Sequence, residues 1–307
     1  MAELRWTLAD DAPDRLFDVD RRRPGRGAYA GLTFHEVEAA SVLNEVPGAP
    51  WGFRWTVNAY RGCSHACVYC FARPTHEYLG FDIADDFDRQ IVVKINAVER
   101  FRAETDPRVW PGDLVHLGSN TDPYQPAEGR YRLTRGVVET MVERSNPFSI
   151  LTKSPLVLRD ADLLGRAVES GIDVAVSMSV GTLDEDVWRS TEPGTPHPRR
   201  RLEALRSLAD LGVRVSVLLA PILPGISDGE AQVAAVRRAA RDLDLPVSGP
   251  VRLHLRTPAL RRHYLAWLGA THPGAVVPTE VALPEPRRRR RQRPSSTVPD
   301  GQLSLGV

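Results

Sequence analysis

The chain has 307 residues, 42% of them hydrophobic and 26% charged, with a formal net charge of +1, a balance that fits a globular protein with one large core or two smaller ones. No stretch approaches the roughly 18 uninterrupted apolar residues of a membrane span, and the opening MAELRWTLADDAPDR has acidic residues where a signal peptide has an apolar run. A cytoplasmic protein with no membrane partner is expected.

Residues 1–50 carry mixed signals: Pro13, the basic cluster RRRPGRG at 21–27 and the turn VPGAP at 46–50. They read as an N-terminal extension without a fold of its own. From 51 to 270 short β-rich runs alternate with helical periodicity. The predicted strands are FRWTVNA (53–59), DLVHLGS (113–119), FSILTKS (148–154), DVAVSMS (173–179), VRVSVLLA (213–220) and PVRLHLR (250–256), each bounded by Gly, Pro or polar residues. Between them Val157, Ala161, Leu164 and Val168 recur at one-sided helical spacing, as do Leu202, Leu205 and Ala209, and then Val233, Val236 and Ala240. Six strands joined by helix-length connections imply parallel βαβ units, curled into a full or partial barrel or laid out as a doubly wound sheet. Either arrangement gathers ligands at the C-terminal ends of the strands. After about 271 Pro becomes frequent and apolar periodicity stops, so 271–307 reads as a flexible, arginine-rich tail.

YRGCSHACVYCFAR, residues 60–73, holds all three cysteines, Cys63, Cys67 and Cys70. It directly follows the first predicted strand and therefore lies at the ligand-binding mouth. In a reducing compartment, three clustered thiols point to a metal or to chemistry rather than to disulfides. One reading is a structural zinc site completed by His65 or a distant histidine. The other is a [4Fe-4S] cluster, which usually takes four cysteines, so that three would leave one iron open for a small molecule.

The C-x3-C-x2-C spacing, with aromatic Tyr69 before the last cysteine and a loop after the first strand of a β/α unit, resembles the radical S-adenosylmethionine (SAM) superfamily. The resemblance implies a partial (β/α)6 TIM-like barrel over 51–270, one [4Fe-4S] cluster and SAM as cofactors, and a 5′-deoxyadenosyl radical that abstracts hydrogen from substrate. An electron donor such as flavodoxin or ferredoxin is implied as a partner. It also implies that Asn120, Thr121 and Asp122 in GSNTDPYQP meet the SAM amino group, although Asn-Thr-Asp-Pro is ordinary turn chemistry too. Lys153 in LTKS is similar to a lysine that meets the SAM carboxylate. Ser177 and Ser179, on one face of their strand by alternation, match ribose or carboxylate contacts. Ile222, Gly225 and Asp228 in PILPGISD match an element beside the adenine, and the Tyr69 carbonyl matches a contact to the adenine amino group.

The segments GCSHACVYCFARPTHEYLG, NTDPYQP, LTKS and APILPG together resemble a bacterial group close to the spore photoproduct lyase family, over residues 40–270 or so. That family returns hydrogen to its product through a cysteine outside the cluster motif, and this chain has no fourth cysteine. Tyr124 is the alternative relay considered, against a simple packing role. In the tail, Arg287 to Arg291 and Arg293 suit salt-sensitive nucleic-acid binding, and QLSLGV (Gln302–Val307) resembles a peptide that docks on the DNA sliding clamp. DNA repair is the process these features suggest. The rival reading is a zinc- or cluster-bearing nucleic-acid-binding protein without catalysis.

Overall fold

A computed structural model describes residues 21–48 and 52–283. The arginine run at 287–293 and the peptide at 302–307 lie outside these described residues. In chain order the strands are β1 (Arg21–Pro24), β2 (Thr33–Val37), β3 (Leu43–Glu45), β4 (Trp55–Val57), β5 (Tyr60–Arg61), β6 (Gln90–Lys94), β7 (Val115–Leu117), β8 (Phe148–Thr152), β9 (Val174–Ser179), β10 (Arg214–Leu218) and β11 (Val247–Ser248). The main sheet runs β11-β10-β9-β8-β7-β4-β3, with the first six parallel and β3 antiparallel at the edge. This is the TIM-like α/β architecture expected, a parallel sheet whose edges β3 and β11 do not pair with each other.

The helices form where the apolar spacing placed them, over Ala161–Glu169, Pro198–Asp210 and Glu230–Arg241. The second begins on His197, whose ring nitrogen accepts from the Arg199 N–H at 3.1 Å, with Pro198 in the first turn, where a missing N–H costs nothing. Its Leu202, Leu205 and Leu208 are buried on the sheet, each worth about 1.5–3 kcal/mol in area removed from water. In β9, Val174, Val176 and Met178 face that helical layer, while Ala175 and Ser177 take the other face.

Three expectations are corrected. The final strand is Val247–Ser248, and residues 250–256 contribute only a bridge between Ile222 and Arg252. Pro250 has no N–H to give to a ladder, which ends the strand there. Residues 21–48 do have a fold: β2 pairs with β6 and β3 with β4. The Glu104 carboxylate accepts the Leu43 N–H at 2.7 Å, and Asn96 bonds both the N–H and the carbonyl of Ala39, at 2.9 and 3.1 Å. Thus residues 21–48 are built into both sheets. Order also continues past 271, through a helix at Val276–Ala282 whose Thr279 is fully buried.

His116 on β7 is buried, stacked on Phe53 with ring centres 4.1 Å apart, its Nδ1 2.9 Å from the Ser149 hydroxyl. Burial lowers its pKa from 6.5 to about 4. The unfolded chain therefore takes up this proton first, so the stability His116 contributes is complete above the unfolded value and is lost as pH falls through the folded one. The loss reaches at most about 3 kcal/mol. Urea unfolding at a series of pH values checks this: His116→Phe should flatten the stability profile across that window, and an unaltered profile would contradict it.

Candidate active site

The chain leaves the main sheet at Val57, joins the smaller sheet (β1-β2-β6-β5) at Tyr60 and then turns into the cysteine loop. The loop therefore sits where the two sheets meet. Its turn is made at Gly62, with a left-handed φ of +76°; a Cβ there would lie 2.9 and 3.0 Å from the Phe87 and Gln90 carbonyl oxygens. Cys63 donates its N–H to the Phe87 carbonyl (2.9 Å), and Cys70 donates to the Cys67 carbonyl (3.2 Å). Arg73, 1% exposed, donates from Nε to the Cys67 carbonyl at 2.9 Å while pairing with Asp88 at 2.8 Å. From the opposite side Gly194 donates its N–H to the His65 carbonyl at 3.1 Å, and a Cβ on it would stand 2.1 Å from the Ser64 carbonyl oxygen. Backbone meets backbone here, so no side chain fits.

Cys63 and Cys67 are buried and Cys70 is half-buried. Burial pushes all three thiols up, Cys67 to about 12, and at Cys63 the charges of Asp122 and of the other two thiols add to it. The sulfurs thus share one electrostatic neighbourhood and stay protonated until a strong cation replaces the protons. Three soft donors on one rigid loop fit an iron–sulfur cluster. The His65 Nδ1 lies 3.2 Å from the Asp122 carboxylate, a pairing that leaves Nε2 as the nitrogen a metal would take. Among the described residues no group of three or more His, Cys, Asp or Glu is arranged to hold a single ion; a multi-iron cluster does not require its ligands to converge on one point.

Asp122 ties three segments together. It accepts from the Thr152 hydroxyl (2.6 Å), the Lys153 N–H (2.7 Å) and the Tyr124 N–H (2.9 Å). Burial alone would raise its pKa, but His65, Thr152 and the Lys153 N–H outweigh it and hold the carboxyl at about 2. Thr121 donates to the Gly62 carbonyl at 2.7 Å, joined there by Gln125 at 3.0 Å. Thr121 and Gln125 together brace the cysteine loop. Asn120 is exposed, with its N–H on the Asn58 side chain at 3.2 Å.

Lys153 enters the site above Tyr69, its Nζ 5.8 Å from the ring centre and 3.9 Å from the Glu192 carboxylate. The Tyr69 hydroxyl donates to Glu192 Oε1, and fully buried Arg201 pairs with Oε2 at 2.6 Å. Arg201 also donates to the Ser179 carbonyl at 2.9 Å, anchoring the group to the end of β9. Burial pushes the Glu192 carboxyl up, and Arg201, Lys153 and Tyr69 more than reverse this. For Lys153 burial pulls down while Glu192 and Cys67 prevail, so the ammonium is kept charged. Ser177 lies in register with Leu151 and Ser216 on the half-buried face of the sheet. Ile222 is buried, and Gly225 donates its N–H to Asp228 at 2.9 Å in the loop after β10.

Tyr124 is 1% exposed within the main apolar core, its ring 5.9 Å from the Arg159 guanidinium. Sequence reasoning missed Glu192 and Arg201. Arg201 is the last of three consecutive arginines and reads as a solvated face, yet it shares the i, i+4, i+7 stripe of Leu205 and Leu208. That spacing was the available signal. A cleft of about 490 Å³ beside the 230–241 helix, lined by Asp184, Arg199 and Arg238 among others, shares no lining residue with the cysteine loop.

A family profile described as the radical SAM superfamily matches residues 57–236, which include the cysteine loop, Asp122, Lys153, Glu192, Arg201 and the loop from Ile222 to Asp228. The chain belongs to the radical SAM superfamily. Its cofactors are that superfamily's [4Fe-4S] cluster and SAM, and it is a radical SAM enzyme. An uncharacterised protein of Mycobacterium tuberculosis (strain ATCC 25618 / H37Rv) is 45% identical over 253 residues, covering 81% of this chain and 73% of the relative. Among solved structures, a variant of spore photoproduct lyase superposes with a TM-score of 0.57 at 18% identity over 85% of this chain and 73% of the lyase. The lyase complexed with dinucleoside spore photoproduct gives 0.55 at 17% identity, over 79% and 67%. Another lyase structure is spanned over only 64% of its length. At such identities the likeness is one of fold. Among the described residues no helix is long and apolar enough to cross a membrane.

Proposed function

We propose that Cys63, Cys67 and Cys70 hold the cluster and that this mouth directs radical chemistry onto a nucleic acid. The observation that carries the reading is the gathering of three thiols, two buried and one half-buried, on one loop with a charged, anchored Lys153 beside it. When bound, the reduced cluster and SAM supply a 5′-deoxyadenosyl radical for hydrogen abstraction. Lys153 offers the cation for the SAM carboxylate, and Glu192 with Arg201 fixes where that cation stands. Tyr69, hydrogen-bonded through its hydroxyl, holds the last turn of the loop and aims its backbone toward the adenine side. Ser177, Ser179, Ile222 and Gly225 supply the rest of the SAM wall, and Asn120 is the polar group facing outward at its edge.

Nucleic acid is assigned as the substrate class because the lyase of similar fold is seen with a dinucleoside photoproduct, and because the tail holds the Arg287–Arg293 run. That run and Gln302–Val307 would keep the enzyme at DNA, the latter through the sliding clamp. With three cysteines committed to one cluster, the chain has no thiol left to return hydrogen to a product radical. The reaction therefore closes by another donor, and the electron comes from a small reductant protein of the flavodoxin or ferredoxin kind. Anaerobic reconstitution tests the reading: brown protein with about four irons per chain that releases 5′-deoxyadenosine from SAM on reduction is expected. Colourless protein retaining zinc would overturn it.

A further inference from the structure

The 35 residues from Leu245 to Thr279 contain four arginines and three histidines but no aspartate or glutamate, in a chain whose net charge is only +1. This acid-free stretch is packed directly on the cluster loop: Leu253, Leu255, Leu260 and Tyr264 share an apolar cluster with Cys67 and Tyr69. Burial alternates through its first part, with Leu253 and Leu255 inside and Arg252, His254 and Arg256 exposed. Alternation of this kind is that of extended backbone and sets Arg252, His254 and Arg256 in a row, roughly 6.6 Å apart. Arg252 and His254 make no ion pair or side-chain hydrogen bond with the described residues. At the end of the row Arg256 lies 5.9 Å from the ring centre of Phe71, which follows Cys70 directly and is 49% exposed.

Two arginines flanking a histidine, without acidic neighbours in sequence, fit a polyanion with regularly spaced charges, and an exposed ring beside them fits a planar base. We propose that Arg252, His254 and Arg256 form a rim that takes successive phosphates of a nucleic acid strand, while Phe71 stacks on a base at the edge of the cluster site. The recognition is independent of sequence, since neither phosphates nor ring faces identify a base. The proposal rests on the assignment of a nucleic acid substrate above, and its test involves no SAM turnover, so failure here leaves radical formation untouched.

The test is fluorescence anisotropy of a labelled single-stranded DNA and of the matching RNA with the full chain, across a salt series. In every protein used, Arg287 to Arg291 and Arg293 are replaced by Gln, so that the tail does not mask the rim. Arg252→Gln with Arg256→Gln is expected to reduce the slope of log K against log salt by about 1.4, or 0.7 per lost phosphate contact on a single strand. Arg252→Lys with Arg256→Lys should restore it. Phe71→Ala should lower affinity about tenfold at fixed salt with the slope unchanged, and Phe71→Trp should not. Arg214→Gln, at the opposite end of β10, should change neither quantity. An unchanged slope in the double Gln variant, an equal effect from Arg214→Gln, or displacement of the DNA by poly-glutamate as readily as by unlabelled DNA would overturn the proposal. The last result would mark the rim as a surface for an acidic protein.

Discussion

Cys67→Ala is expected to leave a folded, colourless protein that releases no 5′-deoxyadenosine from SAM above background. The two effects separate because the backbone of Cys67, rather than its sulfur, does the structural work. Its carbonyl accepts from Arg73 Nε and from the Cys70 N–H, and alanine keeps both bonds. Removing a small buried side chain costs on the order of 1 kcal/mol, which the core tolerates. With a ligand gone, two thiols remain for a cluster that in this chain has no fourth cysteine to recruit. Iron content, visible absorbance and circular dichroism check the result together. Iron retained at the wild-type level would sink the ligand assignment, whereas loss of the dichroism signal would show that the sulfur is needed for folding.

Arg201→Leu is expected to destabilise the protein by about 3–5 kcal/mol, the usual cost of leaving one member of a buried ion pair uncompensated. Arg201 is fully buried, and Glu192 would keep only the Tyr69 and Thr195 hydroxyls and a lysine 3.9 Å away. A carboxylate in that position gains from protonation once the guanidinium is removed, because burial is then the dominant influence on it. The cost should therefore be greater at neutral pH than near pH 5, and adding Glu192→Gln should recover much of it. Anaerobic urea unfolding of the two single variants and the double variant measures this coupling. A cost below 1 kcal/mol, or one that does not vary with pH, would mean that the pair is more solvated than its burial implies.

Local patterns carried the reading of the parallel strands because each is a short β-branched run ended by Gly, Pro or a polar residue. The first five predicted runs each contain an observed strand. The last was misplaced because LHL in 250–256 alternates as a strand does, although Pro250 leaves the ladder without a donor. The strand QIVVK at 90–94 went unread, and with it the smaller sheet. Its partners are β2 and β5, one of them more than fifty residues away, and a contact of that range leaves no local period.

The site divides along the same line. The cysteine loop was legible because its three thiols stand in a single short stretch whose spacing resembles a known family's motif. Asp122 and Lys153 were legible as candidates because they stand at strand ends, where a parallel sheet collects its ligands. Their roles were not. That Asp122 braces His65, Thr152 and Lys153 rather than facing outward was decided by three segments meeting at one carboxylate. Glu192 and Arg201 came to light only through burial, since a charge is held inside by partners far away in sequence. By itself the sequence determined the parallel α/β plan, written in local periodicity, and through its resemblance to a known family it pointed to the cofactor chemistry. The tertiary structure decided that residues 21–48 belong to the fold, that Tyr124 is buried in the main core and that the stretch from Leu253 to Tyr264 packs against the cysteine loop. Those are matters of which distant side chains exclude water together, and no window of the chain contains both halves of such a contact.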